Sequence, residues 1–475
     1  MSLYARHSGL HPLVDMLVEC VLVCSALAFV VFFLFRARKR RGVTAFFHPY
    51  CNDGGGGERV LWCAVQALLE RNPGLIVAIF TGDKEPKTEI LSKAKERFSI
   101  DLTEHRARIK FVRIRCRALL QASCYPVATL LGQSIGGALL AVEALLRLTP
   151  DVFLDTMGSA PTYLVARYLA GCRVCCYVHY PTISGDMLEL VEQRKTSFNN
   201  RAVISKSLLL SRAKLLYYRL LATAYGAAGR ASHSTMVNSS WTRAHIADIW
   251  GEEPLPHVVF PPCNTANLQA IPLAGRDQLV ISLGQFRPEK NHVLQLQAMA
   301  HLRHSHPDLH VRLVIIGSCR NVGDQARVAA VEDEIQRLGL SDVVQVRVNV
   351  SWGELRDTWL RRAKIGLHTM VNEHFGINIV EFMAAGVVPV AHNSGGPRED
   401  IVVPFAGNAT GRLASCASSY AVAMHEILTM PAAEFAGMQQ SARASVARFS
   451  DVAFQNAFCE NWDVARQARQ IFPAN

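Results

Sequence analysis

Two doubly wound α/β domains behind an apolar anchor segment are what this sequence predicts, on three observations. Strand-like apolar runs alternate with helical segments along nearly the whole chain. The first such run of each half is followed by a turn rich in glycine or in basic residues, where open parallel sheets take ligands. An apolar stretch, Leu13 to Phe35, precedes them all. At 475 residues the chain is long enough for two cores, and half of it is apolar with ordinary glycine and proline content.

The anchor comes first. Only Asp15 and Glu19 carry charge within Leu13–Phe35, and Arg36, Arg38, Lys39, Arg40 and Arg41 follow at once. As a helix that stretch spans a bilayer, and basic residues on its C-terminal side place the rest of the chain in the cytosol. A cleaved signal peptide has the opposite order, charges before the apolar region and small residues after it. The sequons at Asn238, Asn349 and Asn408 are then expected to stay unmodified, two of them at strand ends. A formal charge of +11 and a pI near 9.1 point to an anionic partner. There is no zinc spacing, RNA-binding signature or basic run with interleaved aromatics, so nucleic acid is not expected. Thirteen scattered cysteines, an odd number, read as buried free thiols in a reducing compartment.

Strands are expected in the first half at Val43–Pro49, Ile76–Thr81, Ile109–Ile114, Val152–Asp155, Val174–His179 and Met236–Asn238. The second half offers Leu279–Phe286, Val311–Gly317, Val343–Val348, Ile365–Met370 and Val387–Ala391. Between them Phe260–Arg276, with Pro261, Pro262 and Pro272, reads as a linker. The resulting division is an anchor over 1–41, domains over 42–265 and 275–450, and a helical tail over 451–475. Two insertions stand out. Ala118–Leu148 is strongly apolar, and Ala202–Arg230 reads as a basic amphipathic helix that suits a membrane surface; both also read as crossover helices packed on the sheet.

The chemistry gathers at strand ends. Tyr50-Cys-Asn-Asp-Gly-Gly-Gly-Gly-Glu58 lies between the first soluble strand and the helix Arg59–Glu70. Its glycines, Gly54 to Gly57, let backbone amides approach a phosphate or a sugar. Gly284-Gln-Phe-Arg-Pro-Glu-Lys-Asn291 follows the first strand of the second half, and Arg287 and Lys290 there suit the charge that develops on a diphosphate leaving group. Glu373-His-Phe-Gly-Ile-Asn-Ile-Val-Glu381 sets two carboxylates around a helix start. Backbone N–H groups at Gly376 and Ile377 are placed to hold a diphosphate, Glu381 to accept from a ribose diol, and Glu373 to stand near the sugar. His179 closes the strand in Y-V-H-Y-P, within reach of a sugar hydroxyl or of proton movement near the acceptor; a structural histidine reads the same way. Ser394-Gly-Gly-Pro-Arg-Glu399 reads as a further turn near the diphosphate. No aspartate-based divalent-metal site is visible, so neither a metal nor a cofactor is expected.

These segments, from about Phe46 to Arg398, resemble the GT-B glycosyltransferases of the large retaining family that includes glycogen synthase. The glycine loop and N-E-H-F-G-I are most similar to the GDP-mannose-dependent α-1,2-mannosyltransferases of asparagine-linked glycosylation. The resemblance implies diphosphate contacts from Arg287 and Lys290, ribose binding by Glu381, and a sugar contact or catalytic role for Glu373. It implies a sugar contact with a catalytic role for His179, and places Gly54–Gly57 opposite the donor in a cleft between two Rossmann-like domains. The first domain would take the acceptor and the second the nucleotide sugar. It further implies GDP-mannose as donor and a dolichyl-diphosphate oligosaccharide as acceptor, on the cytosolic face of the endoplasmic reticulum membrane. Other mannosyltransferases of the pathway are candidate partners. Asn378, where the family often has a small residue, and Arg398 are departures. The residues alone leave open another nucleotide sugar or lipid acceptor, and a catalytically inactive scaffold.

Overall fold

The structure is a computed structural model and describes residues 11–183, 208–251, 253 and 255–470. Positions 202–207 of the expected basic helix lie outside these. The apolar stretch Leu13–Phe35 falls within one helix, His11–Ala37. Two compact units follow. The first holds Met1–Met236, Ile246–Pro256 and Cys459–Asn475; the second holds Val237–His245 and His257–Phe458.

The first unit is built on β1 (Lys39–Phe47), β2 (Ile76–Thr81), β3 (Ile109–Arg113), β4 (Thr149–Asp155), β5 (Arg173–Val178) and β6 (Ser234–Val237). The sheet order is β3-β2-β1-β4-β5-β6, and the two-residue β7 (His257–Val258) lies where the chain enters the second unit. β1 pairs in parallel with both β2 and β4. The chain therefore turns in opposite directions on either side of the β1/β4 junction, and that junction is where doubly wound sheets open toward ligand. Strands buried on both faces need continuous apolar runs rather than alternation. Val43 to Phe47 is such a run apart from Thr44, and is buried throughout.

The second unit repeats the plan with β8 (Leu279–Leu283), β9 (Arg312–Gly317), β10 (Val344–Val348), β11 (Ile365–His368), β12 (Val388–His392) and β13 (Arg412–Ala414). Its order is β10-β9-β8-β11-β12-β13, and β8 pairs in parallel with β9 and β11. The helix Ile377–Ala384 lies directly on this sheet. Ile379, Val380, Phe382 and Met383 are fully buried, and the Phe382 ring occupies the space a side chain at Gly366 of β11 would need.

The structure departs from the expected organisation in two places. Phe260–Arg276 is no free linker: Cys263, Leu268 and Ile271 are core residues of the second unit, with Phe260 packed against them. The C-terminal helix Asp451–Gln467 is no separate tail, since from Cys459 onward it belongs to the first unit. Trp462 there is buried and its Nε1 donates to Thr44 Oγ1 of β1 at 3.1 Å. Two sequons, Asn238 and Asn349, do directly follow strands, β6 and β10. Eleven of the thirteen cysteines have described side chains; these are free thiols and seven are buried. Burial pushes Cys172 up to about 11 and Cys176 up to about 12.

Candidate active site

In the second unit, β8 and β11 are the neighbours at the reversal of strand order, and both release their chains into loops that carry charge. After β8, Gly284 N–H donates to Ile316 O at 3.0 Å, and Arg327 Nε donates to Phe286 O at 2.6 Å. Phe286 is buried and stacks on His292 at 5.2 Å between centroids. So held, the turn Pro288–Lys290 presents Lys290. Its Nζ lies 2.6 Å from Glu373 Oε2 and 3.3 Å from Met370 Sδ. Arg287, three residues earlier, is exposed, with Glu289 at 3.9 Å.

Glu373 leaves β11 by the loop that precedes the helix Ile377–Ala384. Besides Lys290 it meets His368, the last residue of β11, with Nε2 3.2 Å from Oε2. Sequence reasoning missed His368, because a histidine ending an apolar strand gives no pattern of its own. It is buried, its carbonyl accepts from Tyr420 Oη at 2.8 Å, and its Nδ1 has no partner among the described residues. Burial opposes ionisation of Glu373, but the His368 hydrogen bond and charge, with the Lys290 ammonium, hold the carboxyl well below its ordinary value. The pair is therefore an ion pair at neutral pH.

The backbone of that loop is set by the glycine pair after β12. Gly396 N–H donates to Glu373 O at 2.8 Å, and Asn372 N–H donates to Ser394 Oγ at 2.8 Å. A side chain at Gly395, where φ is +63°, would run into the Glu373 carbonyl; one at Gly396 would meet His374 O at 2.7 Å. The Ser394-Gly-Gly turn thus positions Glu373. Gly376 caps the helix at φ +113°, a backbone conformation open to glycine. The N–H groups at the very start of the helix, Ile377 and Asn378, precede the first intrahelical bonds, which run from Ile379 and Val380 to the Gly376 carbonyl at 3.0 and 3.4 Å. Asn378 has a specific job: its Nδ2 donates to Leu283 O at the end of β8, 2.8 Å away. This ties the helix start to the strand carrying the Arg287–Lys290 turn. Glu381, one turn further in, is half-buried.

The first unit assembles the other predicted residues at its own reversal. Gly54 adopts φ +76°, and Arg97 Nη1 donates to the carbonyls of Asp53 and Gly54 at 3.1 and 3.3 Å. The helix begins at Gly56, so the glycines run into its first turn. Glu58 accepts the Gly55 N–H through Oε2 and meets His48 Nε2 through Oε1 at 3.3 Å. His48 Nδ1 lies 2.7 Å from Thr156 Oγ1, so the loop is tied to the ends of both β1 and β4. His179, half-buried past β5, lies where a Cβ on Gly57 would come 3.7 Å from its Nε2. Gly54–Gly57 and His179 therefore come together in one unit, and Arg287, Lys290, Glu373, Gly376, Ile377 and Glu381 share the loops of the other.

Two doubly wound sheets in one chain, one with a glycine loop and one with a basic turn facing a carboxylate at a helix start, define a glycosyltransferase of the GT-B class. Solved structures agree on the fold. The chain resembles OtsA in its apo form (TM-score 0.63, 13% identity, covering 91% of this chain and 100% of that one). It also resembles Anabaena Alr3699/HepE in complex with UDP and glucose (TM-score 0.58, 15% identity, 88% and 99%).

Residues 41–250 match the family described as ALG11 mannosyltransferase N-terminus, and residues 264–434 match Glycosyl transferases group 1. Proteins named GDP-Man:Man(3)GlcNAc(2)-PP-Dol alpha-1,2-mannosyltransferase are 48% identical in Mus musculus (88% of this chain, 86% of that protein) and 47% identical in Homo sapiens (88% and 86%). The one from Dictyostelium discoideum is 43% identical over 87% of this chain and 83% of its own length. The chain belongs to this family of GDP-Man:Man(3)GlcNAc(2)-PP-Dol alpha-1,2-mannosyltransferases.

Proposed function

We propose that this chain transfers mannose from GDP-mannose to a dolichyl-diphosphate oligosaccharide, forming an α-1,2 linkage in the assembly of the N-glycan precursor. Near-half identity along 88% of the chain to relatives so named carries the reading. The bond from the anomeric carbon to the diphosphate oxygen breaks, and the acceptor hydroxyl oxygen forms the new bond on the same face. Its proton passes to the departing diphosphate. Retention follows from that same-face geometry.

The protein's part is charge and position. Lys290 and Arg287, with the N–H groups at Gly376 and Ile377, stabilise the negative charge that grows on the diphosphate. No metal is assigned to this work, and full transfer in excess EDTA is the expected result. Glu381 takes the ribose diol, and Glu373 holds the mannose. Donor entry draws Lys290 toward phosphate while His368 keeps Glu373 ionised and oriented. In the other unit Gly54–Gly57 and His179 receive the acceptor oligosaccharide. The helix His11–Ala37 anchors the chain in the endoplasmic reticulum membrane with both units cytosolic.

Radiolabelled transfer from GDP-mannose to a synthetic polyprenyl-diphosphate oligosaccharide tests this, with UDP-sugars as competing donors. Wild type is expected to use GDP-mannose, and Lys290→Ala to lose about 10²–10³-fold in rate. Transfer from a UDP-sugar would discard the donor assignment, and no transfer by a folded protein would favour a scaffold.

A further inference from the structure

The first unit exposes an apolar surface that its fold does not use. The helix Thr129–Arg147 is long and apolar enough to cross a membrane. It cannot do so here, because one face is committed. Gly136, Gly137, Leu140, Ala141, Ala144 and Leu145 are buried against the unit, and a side chain at Gly136 would strike the Leu119 carbonyl. On the opposite face Leu131, Ile135 and Leu139, one turn apart, are 43%, 54% and 55% exposed. A water-facing stripe carries polar residues there; this one carries none before the Glu143–Arg147 ion pair at the helix end.

The surface continues onto the helix Leu208–Gly229. Tyr217 Oη accepts the Leu131 N–H at 3.1 Å, joining the two helices. Leu216 and Leu220 are 60% and 63% exposed, and Arg212 and Arg219 are exposed at the same helical spacing. The anchor helix His11–Ala37 packs against Thr129–Arg147, so the surface is continuous with the segment assigned to the bilayer. Phe29, Val30 and Phe33 of the anchor are exposed, and Arg38, Arg40 and Arg41 at its foot are exposed too.

We propose that Thr129–Arg147 and Leu208–Gly229 form a membrane-docking face that lies in the plane of the lipid surface, at the boundary of headgroups and acyl chains. Leu131, Ile135, Leu139, Leu216 and Leu220 enter the acyl edge, and Arg212 and Arg219 meet anionic headgroups. An exposed stripe with arginines on its own helix suits an anionic lipid surface, and contact with the anchor brings that surface within reach. A lone spanning helix leaves a unit free to swivel; a second, in-plane contact fixes which side of the unit faces the bilayer. The purpose of such a face rests on the lipid-linked acceptor proposed above, whereas its existence does not.

The test uses the full chain in nanodiscs of phosphatidylcholine with a minority of phosphatidylserine, doped with a lipid bearing a diazirine in its acyl chain. After irradiation, mass spectrometry is expected to find acyl adducts on peptides containing 131–139 and 216–220, as well as on 11–37. Ile135→Glu with Leu139→Glu, both at exposed positions, is expected to lose the 131–139 adducts and keep those on 11–37. Adducts confined to 11–37 would overturn the proposal. Because no mannosyl transfer enters the readout, the docking face and the enzymatic reading fail separately.

Discussion

Lys290 and Glu373 lie 83 positions apart in the chain and meet at 2.6 Å. Arginine–proline–glutamate–lysine after one strand and a pair of glutamates after another marked both positions in the sequence, because each pattern has its own physical reason. His368 had none, and it shares with Lys290 the hold on the Glu373 carboxylate. His368→Ala is expected to slow transfer by about 10- to 100-fold, by letting the carboxylate drift. His368→Gln, whose amide can still donate to Oε2, is expected to recover a good part of that loss; failure of the rescue in a stably folded variant would remove the positioning role. A second histidine reports on pH. His292 is buried beside Phe286 and Lys290, and burial pushes its imidazole down to about 4 from an ordinary 6.5. Between those values the unfolded chain binds a proton that the folded chain refuses. Stability from this group is therefore complete above about pH 6.5 and falls away as pH drops toward 4, by on the order of 3 kcal/mol. Urea unfolding in detergent across that range is expected to show a shallower slope for His292→Gln. His233, pushed down to about 4 by burial, and Glu373, depressed below the ordinary carboxylate value, lose stability in the same direction as pH falls, so the difference between wild type and variant is what reports on His292.

At the scale of elements, the glycines separate into those that build and those that make room. Gly395 stands at φ +63° against the Glu373 carbonyl, so Gly395→Ala must move the loop, and both thermal stability and transfer are expected to fall. Gly57 has a negative φ, and a methyl there meets His179 at ordinary contact distance. Gly57→Ala is expected to fold like wild type and raise the KM for acceptor while leaving the KM for GDP-mannose unchanged. An unchanged acceptor KM would take the glycine loop out of acceptor binding. Most of these elements were legible in the sequence. Ile76–Thr81 was bounded to the residue, since a buried parallel strand is a continuous apolar run cut off by Gly82 and Pro73. β7 and β13 were missed, being two and three residues long and set by pairing rather than pattern. The proline-bearing segment Phe260–Arg276 was misread because prolines signal irregular backbone, and irregular backbone can still pack into a core. Asn378 looked like a departure from the family and proves to be a tie between helix and strand, a role visible only once β8 and that helix are neighbours.

For the whole molecule, the chain does not pass once from the first unit to the second. It crosses after Met236, returns at Ile246, leaves again at Pro256 and comes back at Cys459. No composition shift announces the last return. Its anchor is Trp462, 1% exposed, which fills the first unit's core next to β1; nearby, Asn461 Oδ1 accepts from Ser234 Oγ at 3.3 Å and Arg173 Nε donates to Ala468 O at 2.8 Å. The last helix is thus part of the support for the strand that leads into the glycine loop. Trp462→Ala is expected to destabilise the first unit by about 3–5 kcal/mol, and β1 and the loop after it should open together. The two halves of the chemistry then come apart in a measurable way. Hydrogen exchange is expected to quicken across Val43–Gly57 while the second unit keeps its protection and still binds GDP, because Lys290, Glu373 and the Gly376 helix start owe nothing to Trp462. Loss of GDP binding in the same variant would mean instead that the second unit depends on the first for its fold.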